Sequence, residues 1–214
     1  MKKHRQEQID LVRRRVVKGI VAIPALSVIA CGAAADGSGA TGLPTTPTAL
    51  NPTPACDDGD DDPTPAQTEG PYFKSSSPQR TSLVEAGMAG TLLTLTGRVL
   101  STSCQPINAA KLDFWQADNA GNYDNSGYTL RGHQFTATDG TFSLRTIVPG
   151  LYPGRTRHIH VKVQSPNGRV LTTQLYFPGE ARNATDGIFS SALLMNVEDA
   201  SDGRAATFDF VLAG

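Results

Sequence analysis

The sequence predicts an all-β fold, an antiparallel β-sandwich with long loops, preceded by a signal peptide and a flexible linker. Three observations predict it. The 214 residues include 21 Gly and 14 Pro, a load that favours many turns over a helical bundle. Short alternating or apolar runs recur between clusters of Gly, Pro, Asn and Asp, the pattern of strands and their connections. No segment carries a long helical period.

In chain order, the first 30 residues read as an address. They hold seven basic and two acidic residues, and 16–30 is mostly apolar and ends in small residues. That is the layout of an export signal. The apolar stretch is short for a membrane span and contains Pro24. Arg13-Arg14-Arg15-Val16-Val17-Lys18 resembles a twin-arginine motif, with Val16 where Phe is usual. Val28-Ile29-Ala30-Cys31 resembles a lipobox, which makes Cys31 the expected lipidation site. The expectation is an exported protein, lipid-anchored at the cell envelope, and an ordinary signal peptide with Cys31 incidental is the plainer alternative.

Residues 31–65 read as a tether, rich in Gly, Ala, Thr and Pro and closing on Asp57-Asp58-Gly59-Asp60-Asp61-Asp62. The Asp run lacks the spaced ligands and closing Glu of a calcium loop. With Cys31 acylated, Cys56 and Cys104 are left either as a disulfide or as two free thiols.

The body, 66–214, holds 12 basic and 12 acidic residues of the chain's 19 and 20. This balance excludes a nucleic-acid binder built on bulk positive charge. Strands are expected over 92–100, 110–117, 134–136, 141–146, 158–164, 170–177 and 206–212. Pro166-Asn167-Gly168 is the turn expected to join the fifth and sixth as a hairpin. One short helix is expected within 181–196.

The informative stretch is Arg157-His158-Ile159-His160-Val161-Lys162-Val163. On a strand, His158 and His160 share one face, and Ile159, Val161 and Val163 share the other. Two imidazoles side by side can chelate a metal; a surface pair of histidines on an amphipathic strand is the bland alternative. In 170–177, Thr172, Gln174 and Tyr176 share a face that the hairpin sets beside the histidines.

Trp115-Gln116-Ala117, Gly121-Asn122-Tyr123, Asp139-Gly140-Thr141-Phe142, Thr146-Ile147-Val148-Pro149-Gly150-Leu151-Tyr152, Arg155, His158-Ile159-His160 and Thr173-Gln174-Leu175-Tyr176-Phe177 follow one another in order. Together, from about Thr68 to Asn196, they resemble the intradiol ring-cleavage dioxygenases. The resemblance implies a β-sandwich with long active-site loops and non-haem Fe(III) held by Tyr123, Tyr152, His158 and His160. Tyr128 is the rival of Tyr123. It implies a catechol-type substrate cleaved with O2 between its hydroxyl-bearing carbons to a cis,cis-muconate-type diacid. Tyr152 matches the ligand released on substrate binding, and Arg155 the residue that stabilises negative charge on the ring. Gln174 matches a residue assisting at the ring, Tyr176 a supporting partner. Gly70-Pro71-Tyr72-Phe73 matches a segment near the site mouth, which makes Tyr72 a candidate pocket residue. Arg157 is a competitor of Arg155 that alternation turns away, His133 reads as structural and Trp115 as core. Hard Fe(III) favours anionic phenolate oxygen, and no Cys stands near these positions for a thiolate site. The same site loaded with copper or zinc is a further alternative. A non-catalytic binding module on the same scaffold is the runner-up, because a sandwich alone carries no function.

Overall fold

The computed structural model describes residues 62–213; the expected leader, Cys31, Cys56 and most of the tether lie outside the described residues. Among the described residues nine strands form two sheets: β1 (Leu92–Ser101), β2 (Lys111–Trp115), β3 (Arg131–Phe135), β4 (Thr141–Ile147), β5 (His158–Gln164), β6 (Val170–Tyr176), β7 (Asn196–Ala200), β8 (Gly203–Thr207) and β9 (Phe210–Leu212). One sheet runs β4-β1-β8-β7 with β9 also on β1, and the other runs β3-β2-β5-β6. Most ladders are antiparallel, but β8 and β9 both pair with β1 in parallel.

Strand alternation makes the core. Leu93, Leu95 and Leu144 face inward from the first sheet, and Leu112, Phe114, Ile159, Val161, Val163 and Leu175 from the second. All nine are fully buried, each contributing about 1.5–3 kcal/mol by leaving water. The expected β5–β6 turn is present: Gly168 N–H donates to Ser165 O, and Asn167 takes φ 59°, as a turn with a left-handed third residue requires.

Three expectations need correction at the C-terminal end. The strand expected over 206–212 is two, because Phe208 and Asp209 break it; Asp209 Oδ1 instead accepts the Arg98 N–H at 2.8 Å. The acidic edge strand β7 was not expected, since its Glu198 and Asp199 are exposed and leave little apolar alternation. The helix expected in 181–196 is two short 3-10 turns, Ala181–Ala184 and Ser191–Leu193. Cys104 is disulfide-bonded, with its partner outside the described residues.

The segment 64–83 stitches the sheets together. Thr64 N–H donates to Val211 O, Gln67 N–H to Thr172 O, Arg80 N–H to His133 O and Leu83 N–H to Arg145 O. It thereby crosses the outer face of the second sheet, where β5 presents its histidines.

Candidate metal centre

His158 and His160 sit on the interior strand β5, opposite Tyr176 and Gln174 of β6. Trp115 of β2 is opposite His160. Directly opposed residues share a sheet face, so these five side chains form one surface, roofed by the stitching segment. Both histidines are buried. Gly70 lies over His160, where an added Cβ would stand 3.5 Å from the ring.

The donors converge. His158 Nδ1 lies 2.6 Å from Thr156 O; a carbonyl only accepts, so Nδ1 carries the proton and Nε2 presents its lone pair. That Nε2 is 3.2 Å from Tyr123 Oη and 3.2 Å from His160 Nε2. One lone pair cannot satisfy two donors, but a cation among the three atoms would. Ligands bound cis at about 2.1 Å stand about 3 Å apart. His160 Nδ1 is buried without a hydrogen-bond partner, and its ring is held by stacking on Trp115 at 4.8 Å and 7°. Trp115 is therefore core and site support at once.

Two loops bring the tyrosines. Tyr123 stacks on Tyr72 (4.7 Å, 20°) and stands edge-on to Tyr152 (5.7 Å, 72°). The Tyr72 and Tyr152 hydroxyls are 2.9 Å apart. Tyr128, by contrast, donates its hydroxyl to Ser75 O at 2.9 Å and lies under Lys74, a loop-packing role. The tyrosine loops meet through two glycines. A Cβ on Gly121 (φ 88°) would collide with the Leu151 carbonyl, and one on Gly150 with the backbone of Asn119 and Gly121. Only glycine allows this approach. Arg131, 1% exposed, braces both neighbours: Nε donates to Asp124 O at 3.0 Å and Nη1 to Tyr72 O at 2.5 Å.

Burial holds the His158 pKa down at about 4 against the opposing pull of its Thr156 hydrogen bond. Burial, then the neighbouring imidazole, holds His160 well below its usual value. Both imidazoles are neutral at pH 7. Burial pushes the Tyr123 phenol up, with Arg155 and Arg131 opposing. A buried phenol gives up its proton to a hard cation placed beside it. Among the described residues no cluster of three His, Cys, Asp or Glu could hold a metal, so an ion here needs the tyrosine oxygens. Neutral imidazole with phenol oxygen and no thiolate fits a hard trivalent ion such as Fe(III).

Beside the donors lies a polar wall. Arg155 Nη2 donates to Gln174 Oε1 at 2.7 Å and is 3.4 Å from Tyr176 Oη. Gln174 Nε2 donates to Thr68 O at 2.9 Å, which fixes the amide with its oxygen toward Arg155. Tyr176 donates to Gln67 Oε1 at 2.8 Å, and burial raises its pKa to about 12. Arg157 turns away, its Nε donating to Glu180 at 2.6 Å. His133 packs on Ser77. The residues that sequence reasoning missed are Arg131, Gln67 and Asp186, the last a carboxylate paired with Arg155 at 2.8 Å. No spacing motif ties Asp186 to Arg155; only the folded loops do.

A large open groove of about 870 Å³ lies elsewhere, on the outer face of β1 and β4 and round the edge of β3. It holds none of the converging donors.

A family model described as Dioxygenase matches residues 68–214. Chlorocatechol 1,2-dioxygenase of Rhodococcus opacus is 29% identical over 185 residues, covering 70% of this chain and 72% of the relative. Hydroxyquinol 1,2-dioxygenase of Nocardioides simplex is 28% identical over 152 residues, and the match spans only 52% of its length. Among solved structures, the dioxygenase domain of a dioxygenase–carbohydrate-binding protein fusion from Streptomyces sp. SirexAA-E is 64% identical. It superposes with a TM-score of 0.70 over 71% of this chain and 99% of that one.

Proposed function

The chain belongs to the intradiol ring-cleavage dioxygenase family, and from that membership we propose that it cleaves a catechol-type ring between the two hydroxyl-bearing carbons with O2. The product is a cis,cis-muconate-type diacid. The relatives' names share a 1,2-dihydroxybenzene core, and that core is the proposed substrate class. Tyr123, Tyr152, His158 and His160 are the proposed holders of Fe(III). The observation that carries the reading is that His158 Nε2 stands 3.2 Å from both His160 Nε2 and Tyr123 Oη, on the sheet face that also carries the Gln174 side chain bound to Arg155.

When bound, Fe(III) supplies the Lewis acidity that ionises phenols and activates a chelated catechol. The chain supplies the rest. His158 and His160 hold their positions as neutral donors on a rigid strand. Tyr152, on its loop and within reach of Tyr72 Oη, is placed to accept a substrate proton. Arg155 offers a fixed guanidinium to negative charge growing on the ring, which is electrostatic preorganisation. Gln174 and Tyr176 orient that guanidinium. The non-catalytic module is not favoured, since the relatives are dioxygenases and none of the proposed site residues is missing from the chain.

The test is the visible spectrum of the purified protein with iron quantified, before and after catechol is added without O2. The expected result is a tyrosinate-to-Fe(III) charge-transfer band that shifts with catechol. A protein still colourless after Fe(III) reconstitution defeats the proposal. From sequence pattern we also propose export with a lipid anchor on Cys31. Cys31→Ala should then release soluble protein on fractionation.

A further inference from the structure

Arg155 is gripped from behind. Its Nε donates to Asp186 Oδ2 at 2.8 Å while Nη2 reaches forward to Gln174. The Asp186 side chain is 2% exposed and that of Arg155 20%. The same Oδ2 accepts the Thr156 N–H at 2.8 Å, and Oδ1 accepts the Ile188 N–H at 3.1 Å. Thr156 is fully buried, donates its hydroxyl to Asn183 Oδ1 at 2.6 Å, and lends its carbonyl to His158 Nδ1. One carboxylate thus anchors two consecutive residues, one facing the substrate side and one holding a candidate ligand.

An arginine side chain has four rotatable bonds, and ordering it costs up to about 2 kcal/mol. A carboxylate at Nε removes that freedom and leaves the outer nitrogens free to act. Burial opposes the charge of Asp186, but the Thr156 N–H and the guanidinium outweigh it and keep the carboxyl ionised.

We propose that Asp186 is a positioning residue for the ring-cleavage reaction, holding the Arg155 guanidinium and the Thr156–His158 hydrogen bond in their working geometry. This rests on the dioxygenase reading above. Asp186→Asn is the discriminating variant: its single amide oxygen, placed where Oδ2 stands, still accepts from Thr156, its NH2 group is left facing Ile188, and it presents no charge to Arg155.

In the iron-loaded full chain, Asp186→Asn should keep its iron content and its charge-transfer band. Its kcat/KM for catechol should fall about 10- to 100-fold. The double variant with Arg155→Gln should be no worse than Arg155→Gln alone, because both changes remove one device. A loss under twofold overturns the proposal, and so does a double variant whose losses multiply. If the wild-type protein cleaves no catechol, the dioxygenase reading has failed, and positioning is read separately from the Arg155 Nε–H NMR signal, assigned by its absence in Arg155→Lys. A slowly exchanging signal that Asp186→Asn makes fast supports positioning, and equal exchange in both overturns it. Should Asp186→Asn not fold, the wild-type signal decides alone: slow exchange supports the proposal, and exchange at the rate of a free guanidinium overturns it.

Discussion

Trp115 lies flat on His160, ring centroids 4.8 Å apart and planes within 7°. It is the chain's single tryptophan. Fe(III) added to the metal-free protein should therefore quench the intrinsic fluorescence, and His160→Ala should remove most of that response. Trp115→Phe should lower iron affinity about tenfold, as read by competition with a chelator. Unchanged affinity would show that stacking does not hold the ring.

Proton release should accompany metal uptake. The Tyr123 phenol is pushed up by burial, so at pH 7 it carries its proton until a cation takes the phenolate. Both histidines are already neutral and release nothing. Iron affinity should thus rise about tenfold per pH unit for each phenol ionised. Weakly buffered titration with a pH indicator would count the protons. A pH-independent affinity would exclude phenolate binding.

The metal-free protein should lose stability as the solution is acidified from pH 6.5 toward 4. In the unfolded chain His158 takes up a proton near 6.5, whereas the fold delays this to about 4. Between those values the unfolded state binds more protons, so stability falls with falling pH. The loss from His158 amounts to about 3 kcal/mol once the pH is below 4. Urea midpoints measured across this range should slope downward on the acid side. His158→Gln should flatten the slope.

Gly150→Ala should damage the metal centre through the backbone. The added methyl collides with Asn119 and Gly121 and pushes the two tyrosine loops apart. The expected cost is about 1–3 kcal/mol, with weaker iron retention than an equally destabilised core variant shows. Equal retention at matched stability would separate the glycine contact from the site.

Much of this was legible in the chain. His158–Gln164 is the strand as read, because Ile159, Val161 and Val163 alternate cleanly with polar neighbours. The turn at Asn167 was equally plain. The break at Phe208 and Asp209 was not, since it depends on a partner 111 residues away, Arg98. Nor was β7, an exposed edge on which only Val197 packs, partly buried, against the core. In the site, short-range patterns exposed the paired histidines, and resemblance supplied the tyrosines. Asp186, Arg131 and the stacking of Trp115 arise from contacts between distant segments. A buried acid beside a distant arginine leaves no local periodicity to read.

The donors divide unevenly between stiff and yielding parts of the protein. The two imidazoles project from β5, hydrogen-bonded on both flanks by β2 and β6. The two phenols hang from connecting loops, and Gly154, just beyond Tyr152, has open space around it. On the proposed ligand set, any rearrangement would have a preferred direction: the nitrogen side would be the anchor, and the oxygen side would supply the slack. An incoming chelating ligand would then be accommodated by giving way at Tyr152, while the sheet itself stays still.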